Sequence, residues 1–149
     1  RGAEHLSASE CIFCRIVRGE APAHRLAEGD LTVTILDAFP ASEGHVLVLT
    51  KEHYTRIHEV PVDTLRQVAA NSKRLACALE RELSPDGIGV YQLNGRAAGQ
   101  TIGHYHLHVI PRTEGQKRSV HGRAPADDAS QAKLAERIRA ALKECQCDC

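Results

Sequence analysis

The sequence predicts an α+β domain in which a small antiparallel sheet is covered by one long helix, with a second helix near the C-terminal end. Two observations carry this. Four short segments rich in β-branched residues are bounded by Gly, Pro, Asn and Asp, the pattern of strands joined by turns. One stretch of about twenty residues repeats its apolar positions at three- and four-residue steps, the period of a helix with one buried face. The 149 residues suffice for one core, and no linker demands a second domain.

Residues 11–17 read as a brief helix or turn, closed by Gly19 and by Pro22, which cannot continue a helix. Residues 31–36 alternate and are rich in Val, Ile and Thr, so they form a strand ending at Asp37. Pro40, Ser42 and Gly44 mark 38–44 as a turn, and 45–50 is a second strand paired antiparallel with the first. Over 61–83, Leu65, Val68, Leu75, Leu79 and Leu83 define the buried face of the long helix, with Asp63 in its first turn and Ser84-Pro85-Asp86-Gly87 as its stop. A third strand over 88–94, a tight polar loop over 95–99 and a fourth strand over 103–110, closed by Pro111, complete the sheet. A polar stretch then leads to a helix over 127–144 whose apolar stripe, Leu134, Ile138, Ala141 and Leu142, is narrow and Ala-rich. That stripe suggests a peripheral or partner-facing helix. The organisation expected is a lead at 1–10, the main domain at 11–112 and an extension at 113–149.

Nineteen basic and nineteen acidic residues leave no net charge to recruit nucleic acid or an anionic membrane. Two Phe, three Tyr and no Trp provide few stacking platforms for single strands. No apolar stretch reaches membrane-spanning length, and the first ten residues lack a signal-peptide layout. A soluble, cytoplasmic protein with a small-molecule partner is expected. The chain contains no Met, so Arg1 is not a natural start and preceding sequence is expected. Six cysteines, at 11 and 14, at 77, and at 145, 147 and 149, do not resemble a disulfide framework; reduced thiols are expected. The three at the end could bind a soft metal or oxidise, though a frayed, reduced end is the simpler reading.

In a strand, alternate side chains share a face, so His104, His106 and His108 line up while Tyr105, Leu107 and Val109 point into the core. Two chemistries suit such a row. Three imidazoles can ligate a metal, although neighbours about 6.8 Å apart on a flat face tend to bring only two rings to one ion. Alternatively, a neutral imidazole is a good nucleophile toward phosphorus near pH 7.

The stretch 100–112, Gln-Thr-Ile-Gly-His-Tyr-His-Leu-His-Val-Ile-Pro-Arg, resembles the signature of the histidine triad (HIT) family. The resemblance continues through Cys-Ile-Phe-Cys at 11–14 and the residues up to Glu20, through Leu-Asp-Ala-Phe-Pro at 36–40, and through 44–53, covering about 11–112 in the expected order. It implies a sheet of about five strands per protomer and a homodimer with a continuous ten-stranded sheet. It also implies hydrolysis or transfer at the α-phosphate of purine nucleotide conjugates such as phosphoramidates, acyl phosphates, related adenylyl conjugates or dinucleotides, releasing a monophosphate such as AMP. His106 would be the nucleophile, His108 the phosphate partner and His45 their support. Asn94, Gln100 and Thr101, with Gly99 leaving room for an anion, would hold phosphate or leaving-group oxygens. Asp37 would take the ribose hydroxyls, and Ile12, Phe13, Ile16 and Ile35 would sandwich the base.

Cys11 and Cys14 have the spacing of a zinc half-site, or of a redox pair. In the branch of the family with this pair, the resemblance implies His53 and His104 as the other ligands, with zinc in a structural role and no organic cofactor. His5, His24, His58 and His121 match nothing in the pattern and are expected to be solvated. A nucleotide-binding scaffold with incidental hydrolysis and a metal-handling protein remain the alternatives to an enzyme.

Overall fold

Residues 10–145 are described by the computed structural model. Its elements are α1 (Ile12–Val17), β1 (Arg25–Glu28), β2 (Thr32–Leu36), β3 (Val46–Thr50), α2 (Val62–Leu83), β4 (Gly87–Gln92), β5 (His106–Arg112) and α3 (Asp128–Glu144). The strands form one antiparallel sheet in the order β1-β2-β3-β5-β4. His5, Cys147 and Cys149 lie outside the described residues, as does most of the expected lead.

β2 and β3 are buried along their whole length because both faces of the sheet are covered. Leu36, Val46, Val48 and Val109 join the core formed with Val68, Leu75 and Leu79 of α2. On the opposite face, Val33, Ile35, Leu47 and Leu49 pack with Phe13, Cys14 and Ile16 of α1. The register aligns Leu49 with His106 and Leu47 with His108, so the two histidines share the α1 face. Leu107 and Val109 turn toward the helices.

α2 follows its apolar period and stops at Ser84, whose left-handed conformation (φ 43°) sets the cap before Pro85. α3 corrects the reading of a peripheral helix. Leu134, Ala135, Ile138, Ala141 and Leu142 are all buried in the main core, and α3 packs on both α2 and β1. Its alanines have the small volume that lets two helix backbones come together, so a stripe that looks weak in sequence still makes a close seam.

β1 is the strand that composition did not reveal. It has four residues with one buried apolar side chain, Leu26, and an irregular register between Arg25 and Ala27. β5 also differs from expectation at both ends. It runs on through Pro111 to Arg112, where pairing with β3 has already ended at Val109 and only β4 remains alongside. At the other end it begins at His106, leaving His104 in the bend before the strand. Gly44 turns β2's connection into β3 with φ 87°, and a Cβ there would press on Leu83. No helix among the described residues is long and apolar enough to cross a membrane.

Candidate active site

The three histidines do not form one row. Only His106 and His108 alternate along β5, with ring centroids 4.8 Å apart. His104 leaves the face: Tyr105 N–H donates to the Tyr54 carbonyl at 2.6 Å before the strand starts, and the His104 ring sits with Cys11, Cys14 and His53.

Hydrogen bonds settle the tautomers. His106 Nδ1 lies 2.7 Å from the carbonyl of His104, which can only accept, so Nδ1 carries the proton. Its Nε2 therefore presents a lone pair, and no described residue bonds to it. His45 Nδ1 accepts from the Ala41 N–H at 2.9 Å, which puts the proton on Nε2. That proton is donated to His108 Nδ1 at 2.9 Å, with an Asp37 carboxylate oxygen 3.4 Å away. His108 is left with its Nε2–H as donor. The result is a nucleophile-type nitrogen beside a donor-type nitrogen.

Burial lowers all three imidazoles, His45 to about 3 and His106 to about 4, with His108 also depressed. These rings are neutral at pH 7. Burial raises the Asp37 carboxyl, opposed by the Phe39 N–H that donates to it at 2.9 Å.

His106 and His108 open on a cavity of about 870 Å³, within the range that encloses a nucleotide-sized ligand. Ile12, Phe13, Ile16 and Ile35 contribute apolar lining, and Asp37 and Thr101 line it too. Phe13 meets the His106 ring edge-on at 5.0 Å. Asn94, Gly99, Gln100 and His45 are not among its lining residues. Gln100 is buried and braces the loop, accepting from Gly95 N–H and donating to the carbonyls of Thr55 and Ile102. Asn94 accepts from Ile57 N–H at 2.7 Å and is paired with Gln92. Gly95 and Gly99, with φ of 89° and 101°, bracket the helical turn Arg96–Ala98 that gives this loop its shape.

Cys11, Cys14, His53 and His104 offer four ligand atoms within 4.8 Å of one another. Sulfur–nitrogen separations of 3.2, 3.4 and 3.5 Å match the edge of a tetrahedron around an ion bound by mixed S and N donors, about 3.6 Å from ordinary bond lengths. His104 Nε2–H donates to the Thr50 carbonyl at 2.7 Å, so Nδ1 faces the sulfurs unprotonated. Burial and the adjacent Cys11 push the Cys14 thiol up to about 11. A divalent cation would offset both effects, so the donor set fits a metal.

One residue set aside in the sequence belongs to the cavity. His121 lines it, its ring 5.9 Å from that of His108, and its Nε2–H donates to the Gly99 carbonyl at 2.8 Å. No spacing could reveal this, because residues 113–126 follow no periodic pattern. His24 also lines the cavity and pairs with Asp128, another lining residue, at 2.8 Å.

Fold and site together define a histidine triad protein, with paired strand histidines over a nucleotide-sized cavity. The family model described as HIT domain matches residues 18–115, and the chain belongs to the HIT family. It is 38% identical over 106 residues to adenylylsulfatase HINT3 of Arabidopsis thaliana, covering 71% of this chain and 54% of that protein. This chain thus spans about half the length of that relative. Adenosine 5′-monophosphoramidase HNT1 of Candida albicans is 38% identical over 112 residues, covering 72% of this chain and 74% of the relative. A zinc-bound histidine triad family protein from Mycobacterium smegmatis superposes with a TM-score of 0.80 at 37% identity, covering 93% and 96% of the two chains.

The histidine values make stability pH-dependent. His45 falls from an ordinary 6.5 to about 3 on folding, so between these values the unfolded chain binds more protons. Stability is full above about pH 6.5 and is lost as pH falls. Urea unfolding midpoints should drop from pH 7 to pH 5, and the slope should be shallower in His45→Gln; parallel slopes would show that His45 is not responsible.

Proposed function

We propose that this protein is a HIT-type hydrolase that cleaves purine nucleotide conjugates, phosphoramidates or related adenylyl compounds, at the α-phosphorus through a nucleotidyl-histidine on His106. The observation that carries the reading is the tautomer of His106. Its Nδ1–H is held by a backbone carbonyl, so its Nε2 lone pair is available on a ring that lines the cavity. Attack forms the P–N bond as the bond to the leaving group breaks. Water then cleaves the P–N bond and releases the monophosphate. His108 Nε2–H, held by the relay from Ala41 through His45, suits a phosphoryl oxygen or an amine leaving group that needs a proton. The names of the Arabidopsis and Candida relatives, an adenylylsulfatase and an adenosine monophosphoramidase, support this substrate class.

Asp37 is our choice for the ribose hydroxyls, since it lines the same cavity as the apolar residues and the two histidines. Ile12, Phe13, Ile16 and Ile35 would take the base by its faces, and Thr101 would meet phosphate. Asn94, Gly99 and Gln100 would act from behind, by shaping the loop that carries Thr101. We read the four-donor cluster as a structural zinc site, held by Cys11, Cys14, His53 and His104, and leaving His106 free to react. The zinc-bound mycobacterial neighbour supports that choice of metal. Reduced, metal-ligating cysteines suit the cytosol.

We also read the protein as a homodimer. β4 ends the sheet with β5 on one side only, and Val90, 53% exposed, stands on that strand. An exposed edge of this kind is a template for a second copy, and antiparallel β4 pairing would make ten strands continuous.

Three measurements test these readings. His106→Asn should lower release of AMP from adenosine phosphoramidate by roughly a thousandfold or more; equal rates in the substituted and unsubstituted chains would overturn the assignment. Metal analysis should find a single zinc per chain that survives His106→Asn and is lost in Cys14→Ser, and chelation should lower Tm. Sedimentation should give a dimer that Val90→Lys weakens, whereas a monomer at all concentrations would contradict the edge pairing.

A further inference from the structure

A second pair of cysteines meets away from the cavity, where α2 packs against the last turn of α3. Cys77 stands half-buried on α2, and Cys145, the residue that caps α3, is buried in the main core. Far apart in sequence, the two thiols share a hydrogen bond. Contacts on either side fix the approach. Arg74, one turn before Cys77, donates to the Leu142 carbonyl at 3.4 Å. Arg81, one turn after it, donates to the Glu144 carboxylate at 2.9 Å. Residues 74, 77 and 81 share one face of a helix, so Cys77 is aimed at the end of α3. The Cys145 N–H donates to the carbonyls of Ala141 and Leu142 at 3.1 and 3.2 Å, which holds its backbone against that last turn. Ala78 and Ala141, buried in the same core, leave room for the two helices to pack closely.

This pair differs from Cys11 and Cys14 in its company. Among the described residues, no histidine, carboxylate or further thiol completes a metal-ligating cluster with Cys77 and Cys145, as His53 and His104 do for the other two. The chemistry left to two adjacent thiols is to join each other. We propose that Cys77 and Cys145 are a disulfide-forming site, oxidised by hydroperoxides to a bridge that staples α3 to α2. The inference stands apart from the hydrolase reading, since neither sulfur lines the cavity.

Cys77 is the sulfur that an oxidant can reach, because Cys145 is 2% exposed. With hydrogen peroxide, Cys77 gives up its proton and its sulfur takes one oxygen as the O–O bond breaks. The other oxygen leaves as hydroxide and takes that proton to become water, and Cys77 is left as a sulfenic acid. Burial, and then the hydrogen bond with Cys77, raises the Cys145 thiol, so it stays protonated near pH 7 until the sulfur beside it is oxidised. It then loses its proton as its sulfur attacks that of Cys77. The S–S bond forms, the S–O bond breaks, and the hydroxyl leaves with that proton as a second water. Two thiols are oxidised and one peroxide is reduced. The bridge closes a long loop, from α2 through β4 and β5 to the end of α3, and so restricts the unfolded chain. It also pins the helix whose first turn reaches the Asp37 carbonyl through Gln131.

The test treats the full chain with an equimolar amount of hydrogen peroxide, alkylates the remaining thiols and identifies bridged peptides by mass. Trypsin leaves Cys147 and Cys149 on the same peptide as Cys145, so the measurement is repeated with Cys147→Ser and Cys149→Ser together. Both chains should yield Cys77 bridged to Cys145 as the main product. Their Tm should rise by roughly 5 °C or more and return on reduction with dithiothreitol. Peroxide should give Cys77→Ala no such rise. Recovery of Cys77 and Cys145 as alkylated thiols would overturn the inference, as would loss of the bridge when Cys147 and Cys149 are replaced. A bridged chain with unchanged or lower Tm, or an equal rise in Cys77→Ala, would overturn the staple as well.

Discussion

The bend at His104 is the constraint on which the site depends. Its side chain is held by Cys11, Cys14, His53 and the Thr50 carbonyl, and its own carbonyl accepts the Nδ1 proton of His106. A single residue thus couples the four-donor cluster to the tautomer of the strand histidine beside the cavity. If the cluster loosened, that carbonyl would lose its fixed direction, and the His106 Nε2 lone pair would lose its aim. Sequence proximity makes the coupling cheap, because the two residues are adjacent-but-one on the backbone.

Around that bend the sheet separates two tasks. β5 presents Leu107 and Val109 to the helices and His106 and His108 to α1, and β3 supports both faces with Val46 and Val48 on one side and Leu47 and Leu49 on the other. The apolar wall that surrounds the cavity is the same packing that buries the histidines. Burial keeps them neutral, which leaves one presenting a lone pair and the other an N–H donor. The cost appears as acid sensitivity, since unfolding lets those rings take up protons.

The C-terminal extension joins this arrangement twice. α3 fills the main core through alanines that permit close helix contact, and the segment before it lines the cavity and bonds to the backbone of Ala38 and Phe39. A stripe of small residues is weak evidence in a sequence, because its meaning depends on how near the neighbouring backbone lies. The segment before α3 is harder still to read, since it has neither strand nor helix period, and His121 acquires a place only through contacts with Gly99 and His108, far from it in sequence.

By itself the sequence determined the antiparallel sheet, the long helix, the family and the chemistry-bearing side chains, because these are local: a period of two, a period near four, and the fixed spacing of Cys-x-x-Cys and His-x-His-x-His. Spacing alone could not separate the three histidines, since alternation assumes an unbroken strand; it was the family resemblance that set His104 with the cysteines. The tertiary structure supplied the physical reason, a backbone bend at His104 that ends the row before β5 begins. It also found β1, too short for a pattern, and showed the bonds that Asn94 and Gln100 make within and beside their loop. In each case the deciding contacts join residues from different elements, such as Asn94 with Ile57 and Gln100 with Thr55. Such contacts leave no periodic trace along the chain.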